Sequence, residues 1–250
     1  MVAFFMVTLV FVIGGCTPFS LIWALCSPFL LQCTIEACDL WIYSVVLYFV
    51  HGMLIDCLPF EPMQKTTILS LRTILPTVSV NLLSSGLLSF VSVPNRTISE
   101  TEAVLYLLLA GIGNELVYAP MHWLLHTRKL YKYHRLHHTQ KAPCALGAVY
   151  CGIFEMWLAN LTSIFLPLSF TSAPLQLYLV WITCAIQTTQ IHHSSMIWPF
   201  PWSISKQPRF HDDHHRLVNV NYGNIGFLES VLNTKKRPLT AAQTHAPLPT

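Results

Sequence analysis

Charge is scarce in this sequence. Only 10% of its 250 residues are Asp, Glu, Lys or Arg, where a soluble domain carries about 25%. Apolar residues make up 53%. That balance excludes a disordered chain and argues against an ordinary cytosolic enzyme. A formal net charge of +3 over the whole length is no electrostatic footprint for a nucleic acid. The eight cysteines form no CxxC pair and no even framework. Most lie in apolar runs and read as small buried hydrophobes. Cys33 and Cys38 share the 32–39 loop and are a candidate pair. There is no Gly-rich phosphate loop, no Ser nucleophile elbow, no HExxH protease motif and no internal repeat.

Histidine is present in excess. Its 12 copies outnumber the 11 acidic side chains. His51 and His245 stand alone, and the other ten fall in two windows. His122, His126, His134, His137 and His138 occupy the first. His192, His193, His211, His214 and His215 occupy the second. The spacings repeat as HxxxH (His122, His126), HxxHH (His134, His137, His138) and HxxHH again (His211, His214, His215).

Several apolar stretches approach the roughly 20 residues a helix needs to cross a bilayer. They run over 2–31, 40–58, 71–93 and 103–125, with a hairpin of 146–167 and 174–188. Four to six spans are expected. Arg128, Lys129, Lys132, Arg135 and Lys141 cluster after the fourth stretch, and a second basic group lies in the C-terminal fifth. The positive-inside rule puts both groups, and both histidine windows, in the cytosol. Counting back, loop 93–102 is lumenal. It carries the sequon Asn95-Arg96-Thr97, a candidate glycosylation site. Asn160-Leu161-Thr162 lies in an apolar segment and is expected to be silent. The expected fold is all-α: a multi-span integral membrane helical bundle with a cytosolic histidine-rich metal-binding cap. Its expected parts are an N-terminal transmembrane region 1–114, a catalytic region 115–234 and a basic, Pro-containing tail 235–250.

Residues i and i+4 share one face of a helix. Each box therefore aims two or three imidazoles at one point. Neutral imidazole suits Zn, Cu, Fe and Ni. Three or four ligands satisfy one zinc, so this many histidines point to two ions. Without metal, clustered imidazoles would repel one another on protonation. The residues alone leave the metal open. Zinc, which has no redox chemistry, suits a membrane hydrolase; iron suits oxygen activation. A histidine-rich metal transporter or metal-binding protein is a further alternative. It would spread ionisable residues along the spans, whereas here they gather at one end.

The three boxes, in this order within a multi-span chain, resemble those of the fatty acid hydroxylase superfamily. That family includes sterol desaturases, 4-methyl sterol oxidases, cholesterol 25-hydroxylases and sphingolipid hydroxylases. The likeness covers about residues 115–234. It includes Leu130-Tyr131 before His134, Ala142-Pro143 with the downstream Glu155, and His193-Ser194 with Pro199. It continues with His211-Asp212-Asp213-His214-His215 followed by Asn221-Tyr222-Gly223, and with Glu229 to Thr234. Trp123, Glu115, Ser195 and Asn233 stand where the family has Arg, more often Asp, Gly and Gly.

The resemblance implies two iron ions held by His122, His126, His134, His137, His138, His193, His211, His214 and His215. His192, Glu115, Asp212 and Asp213 become possible ligands or supports of the ligands, a known device at metal sites. It also implies O₂ and two electrons, drawn from NAD(P)H through a cytochrome b5-type carrier. The expected product is a hydroxylated or further oxidised lipid, with a sterol preferred. The expected address is the endoplasmic reticulum membrane. The basic residues 128–141 are the expected meeting place with an acidic carrier.

Overall fold

The computed structural model describes residues 36–57, 69–94, 96–194, 207–224, 226–232 and 234. The first apolar stretch, Cys33, Asn95, Ser195, His245 and the tail lie outside the described residues. Among the described residues the regular elements are helical, with no strand. They are α1 (Ala37–Asp56), α2 (Leu71–Ser85, continued by a 3-10 turn Gly86–Phe90), α3 (Glu100–Leu125) and α4 (Tyr131–His134). Then come α5 (Ile153–Ser169), α6 (Leu175–His192), α7 (Gln207–Leu217) and α8 (Phe227–Leu232).

Three of these stretches are long and apolar enough to cross a membrane: Ala37–Asp56, Leu71–Phe90 and Glu100–Leu125. Their polarity is inverted relative to a soluble bundle. Ile42, Val46, Val50 and Met53 on α1 are exposed, as are Leu105, Leu109, Ile112 and Leu116 on α3. His51, Asn81 and Glu115 are buried instead. Exposed apolar stripes with polar groups turned inward are what hydrocarbon surroundings demand.

Local chemistry sets the helix ends. Ser99 opens α3 with a reciprocal cap: its hydroxyl accepts from the Glu102 N–H at 3.2 Å, and Glu102 accepts from the Ser99 N–H at 3.0 Å. Arg96 donates to Glu102 at 3.2 Å and to the Ser172 carbonyl at 2.8 Å, fastening this end to the α5–α6 turn. α3 runs along α5, and α1 along α6. At Gly113 the first pair meets so closely that a Cβ would stand 2.6 Å from the Pro167 Cβ. Only a residue without a side chain allows that approach.

The hairpin departs from the sequence reading. Its first arm starts at Ile153 rather than near 146. Residues 144–151 are apolar, yet they form an irregular segment clamped by α1 and α2. The Asp56 carboxylate accepts from the Ala145 N–H at 2.7 Å and the Leu146 N–H at 2.9 Å. The Tyr48 hydroxyl donates to the Leu146 carbonyl and accepts from the Val149 N–H, both at 3.0 Å. Asn81 donates to the carbonyls of Val149 and Cys151 at 2.8 and 2.9 Å. Apart from a 3-10 turn at Ala145–Gly147, these side chains replace a helix ladder, so the segment stays buried without forming an α-helix. The second arm, α6, runs on to His192. His51 is structural: its Nδ1 lies 2.7 Å from Gln190 Oε1, and Gln190 donates to the Tyr48 carbonyl at 2.7 Å.

Candidate metal centre

The histidines lie where elements end. His122 is on the last turn of α3 and His126 caps it. His134 closes α4, and His137 and His138 open the 3-10 turn that follows. His192 closes α6 and His193 caps it. His211, His214 and His215 share α7. One end of the bundle thus receives both windows.

There they sort into two adjoining groups. His122, His126, His134, His138 and His214 bring one ligand atom each to a common point, all within 4.8 Å of one another. His137, His193, His211 and His215 do the same. The groups abut, since the His138 and His215 ring centroids are 4.9 Å apart. Within the first, His134 Nε2 stands 3.1 Å from His122 Nε2 and 3.0 Å from His138 Nε2. Within the second, the Nε2 atoms of His211 and His215 are 2.9 Å apart.

Four rings are aimed from behind. His122 Nδ1 donates to the Tyr222 carbonyl at 2.6 Å, and His214 Nδ1 to the Val220 carbonyl at 2.6 Å. His193 Nδ1 donates to the Thr189 carbonyl at 2.7 Å. His134 Nδ1 lies 2.8 Å from the Glu155 carboxylate. A carbonyl only accepts, so Nδ1 carries the proton and Nε2 keeps its lone pair. His122 thus turns a bare Nε2 lone pair toward His134 Nε2 at 3.1 Å, and His138 Nε2 lies 3.0 Å from the same atom. A cation at their meeting point satisfies such converging nitrogens. Buried nitrogens without a partner add to this, among them His137 Nδ1 and Nε2, His193 Nε2 and His214 Nε2. The donor set therefore fits two metal ions.

Burial keeps the rings neutral. His134 is pushed down to about 3, first by desolvation and then by the His214 ring. His214 is lowered to about 4, again chiefly by burial. His137 falls well below the ordinary imidazole value for the same reason, with His215 as the next cause. Neutral imidazole is the ligating form.

The nine histidines expected to hold metal are thus the nine in the two groups. His192 belongs to neither, although its ring centroid lies 4.4 Å from that of His211. Glu115 accepts from the Asn224 N–H at 2.8 Å, tying the C-terminal segment to α3. Asp212 is buried on α7, and Asp213 pairs with Arg216 at 2.7 Å. Several supports were not singled out in the sequence. Glu155 was noted only as part of a motif. The carbonyls of Thr189, Val220 and Tyr222 carry no residue signature at all. A turn at the end of α7 delivers two of them, with Val218 at φ 67° and Asn221 at φ 57°. A β-branched residue in that region is strained.

A family model described as fatty acid hydroxylase matches residues 107–234, just over half of the chain. The chain belongs to the fatty acid hydroxylase family. All nine grouped histidines fall inside the matched region. A fatty acid hydroxylase of Mycosarcoma maydis is 30% identical over 131 residues, covering 52% of this chain and 32% of that protein. A methylsterol monooxygenase of Aspergillus fumigatus is 29% identical over 149 residues, covering 56% and 48%. The fatty acid hydroxylase domain-containing protein 2 of Homo sapiens is 29% identical over 132 residues, covering 52% and 38%. The chain spans about a third to a half of the length of these curated relatives. No solved structure matches it.

Proposed function

We propose that this family member is a membrane-bound non-haem di-iron oxygenase that oxidises a sterol or another lipid. Residues 115–234 form the catalytic region, 1–114 the N-terminal membrane region and 235–250 a basic tail. The observation that carries the reading is the pair of buried imidazole groups, inside a family whose named relatives are lipid hydroxylases and sterol oxygenases. His122, His126, His134, His138 and His214 hold one ion, and His137, His193, His211 and His215 the other. When bound, the metals supply the redox chemistry that an unactivated C–H bond requires. One C–H becomes C–OH; the second oxygen atom of O₂ leaves as water, with two electrons and two protons consumed.

The protein's share is positional. Glu155 and the three carbonyls fix ring orientation, and the helices exclude water from the centre. The histidine end faces the cytosol, in the endoplasmic reticulum membrane, with Asn95 on the lumenal side. Electrons come from NAD(P)H through a cytochrome b5-type carrier. Arg128, Lys129, Lys132, Arg135 and Lys141 ring this end, all exposed, and suit an acidic partner.

The test joins metal analysis of anaerobically purified protein with lipid product formation. Iron near two per chain is expected, with product dependent on O₂ and NADPH. His137→Ala should abolish product. Tightly held zinc with O₂-independent turnover overturns the reading in favour of a hydrolase. Metal flux across vesicles without lipid turnover overturns it in favour of a transporter.

A further inference from the structure

His122 and His134 meet in the five-histidine group, their Nε2 atoms 3.1 Å apart, and the two rings are backed differently. The Glu155 carboxyl group stands directly behind His134, 2.8 Å from Nδ1. Behind His122 stands a peptide. Its carbonyl belongs to Tyr222 and accepts from His122 Nδ1 at 2.6 Å. The N–H of the same peptide belongs to Gly223 and donates to the Glu229 carboxyl group. One planar unit therefore has an imidazole on its carbonyl side and a carboxyl group on its amide side.

The surroundings are built for this. Glu229 is buried on α8 and Glu115 on α3. Glu115 accepts from the next N–H along, that of Asn224, at 2.8 Å. Both carboxyl groups crowd Gly223: a Cβ there would overlap Glu115 Oε1 and stand 2.8 Å from Glu229 Oε1. Only glycine leaves them room. A second peptide is braced from the same side. The Val220 carbonyl accepts from His214 Nδ1 at 2.6 Å, and the Asn221 N–H of that peptide donates to the Thr234 carbonyl at 3.2 Å. The Thr234 N–H donates in turn to the Glu229 carbonyl at 3.0 Å. Residues 229 and 234 thus hold the two peptides that aim His122 and His214, and the one behind His122 ends on a carboxyl group.

Hydrogen bonds in a chain polarise one another. An acceptor on the N–H draws electron density toward the carbonyl oxygen of the same peptide. That oxygen then holds the Nδ1 proton more firmly, and Nε2 becomes the stronger ligand.

We infer that Glu229 is a positioning residue of the metal centre, acting on His122 through the Tyr222–Gly223 peptide. The inference rests on the metal reading proposed above and adds to it a residue outside the histidine boxes. Gly223 is part of the same device, because any side chain there would push the carboxyl group off the peptide.

A double-mutant cycle tests this, read by Fe²⁺ binding alone. Full-length protein in nanodiscs is loaded anaerobically, and both binding steps are measured by competition with a chelator. Glu229→Ala should weaken one step about 10- to 100-fold and leave the other in place. Glu229→Gln should lose less, since its amide oxygen still accepts. In a His122→Ala background the same two changes should cost under about twofold, because the route to the metal is gone. A residue that only packs gives losses that multiply with those of His122→Ala. Far-UV circular dichroism compares the folds, and Glu229→Gln carries the cycle if Glu229→Ala does not fold.

Unchanged affinity in the Glu229 variants, or losses that multiply in the double variants, overturns the inference. The two failures separate. A parent chain that takes up no Fe²⁺ sinks the metal reading itself. Two ions per chain held with indifference to Glu229 sinks this inference alone.

Discussion

Three of the nine grouped imidazoles take their tautomer from a peptide carbonyl, and a fourth leans on a carboxylate. Glu155 is therefore a positioning residue, and its contribution is measurable. Glu155→Gln keeps the volume and replaces the carboxyl group behind His134 by an amide. Metal affinity should fall about 10- to 100-fold, the usual effect of losing such a partner. Competition with a chelator reads it, and far-UV circular dichroism should stay unchanged. At this scale the histidines that come together were legible, because histidine is rare enough for ten copies in two windows to stand out. The anchoring carbonyls were not. Any residue has a carbonyl, and only the turn through Val218 and Asn221 decides which ones reach His122 and His214.

At the scale of elements, hydrophobic length located the three spans to within a few residues. It misplaced the start of α5, since apolar content cannot tell a helix from a buried segment held by side chains. The sequence also hides the π-helical turn Met156–Leu161, which follows Glu155 directly. Such turns insert a residue into a helix and recur at functional sites. The seam of α3 and α5 makes its own prediction. Because a Cβ at Gly113 would overlap Pro167, Gly113→Leu should force the helices apart. A destabilisation of about 1–3 kcal/mol is expected from overpacking. Thermal unfolding in detergent checks it, with Gly113→Ala falling between variant and parent.

For the whole molecule, the question is which way the bundle sits. α1 offers a native probe. Cys57 is exposed at the end where Asp56 grips residues 145 and 146, which is the histidine end. Cys38 is exposed at the opposite end, about 30 Å away for 20 residues. In single-cysteine variants within sealed microsomes, an impermeant maleimide should modify Cys57 at once. Cys38 should react only after permeabilisation. The reverse pattern would place the histidines in the lumen. The orientation was read from lysines and arginines alone, and no packing contact inside the bundle encodes it.

The five-histidine group has a consequence for how the protein is made. Its first member is residue 122 and its last is residue 214, so 92 residues separate them. At about 5–20 residues per second, translation needs roughly 5–20 s to cover that distance. Throughout this interval a nascent chain presents an incomplete ring of imidazoles beside a membrane. The five-histidine group is complete only once His214, and the four-histidine group only once His215, has been synthesised and α7 has docked against α6. Under the proposed di-iron reading, metal loading follows insertion, and a ribosome that stalls before α7 leaves a chain with every described long helix in place and neither histidine group complete.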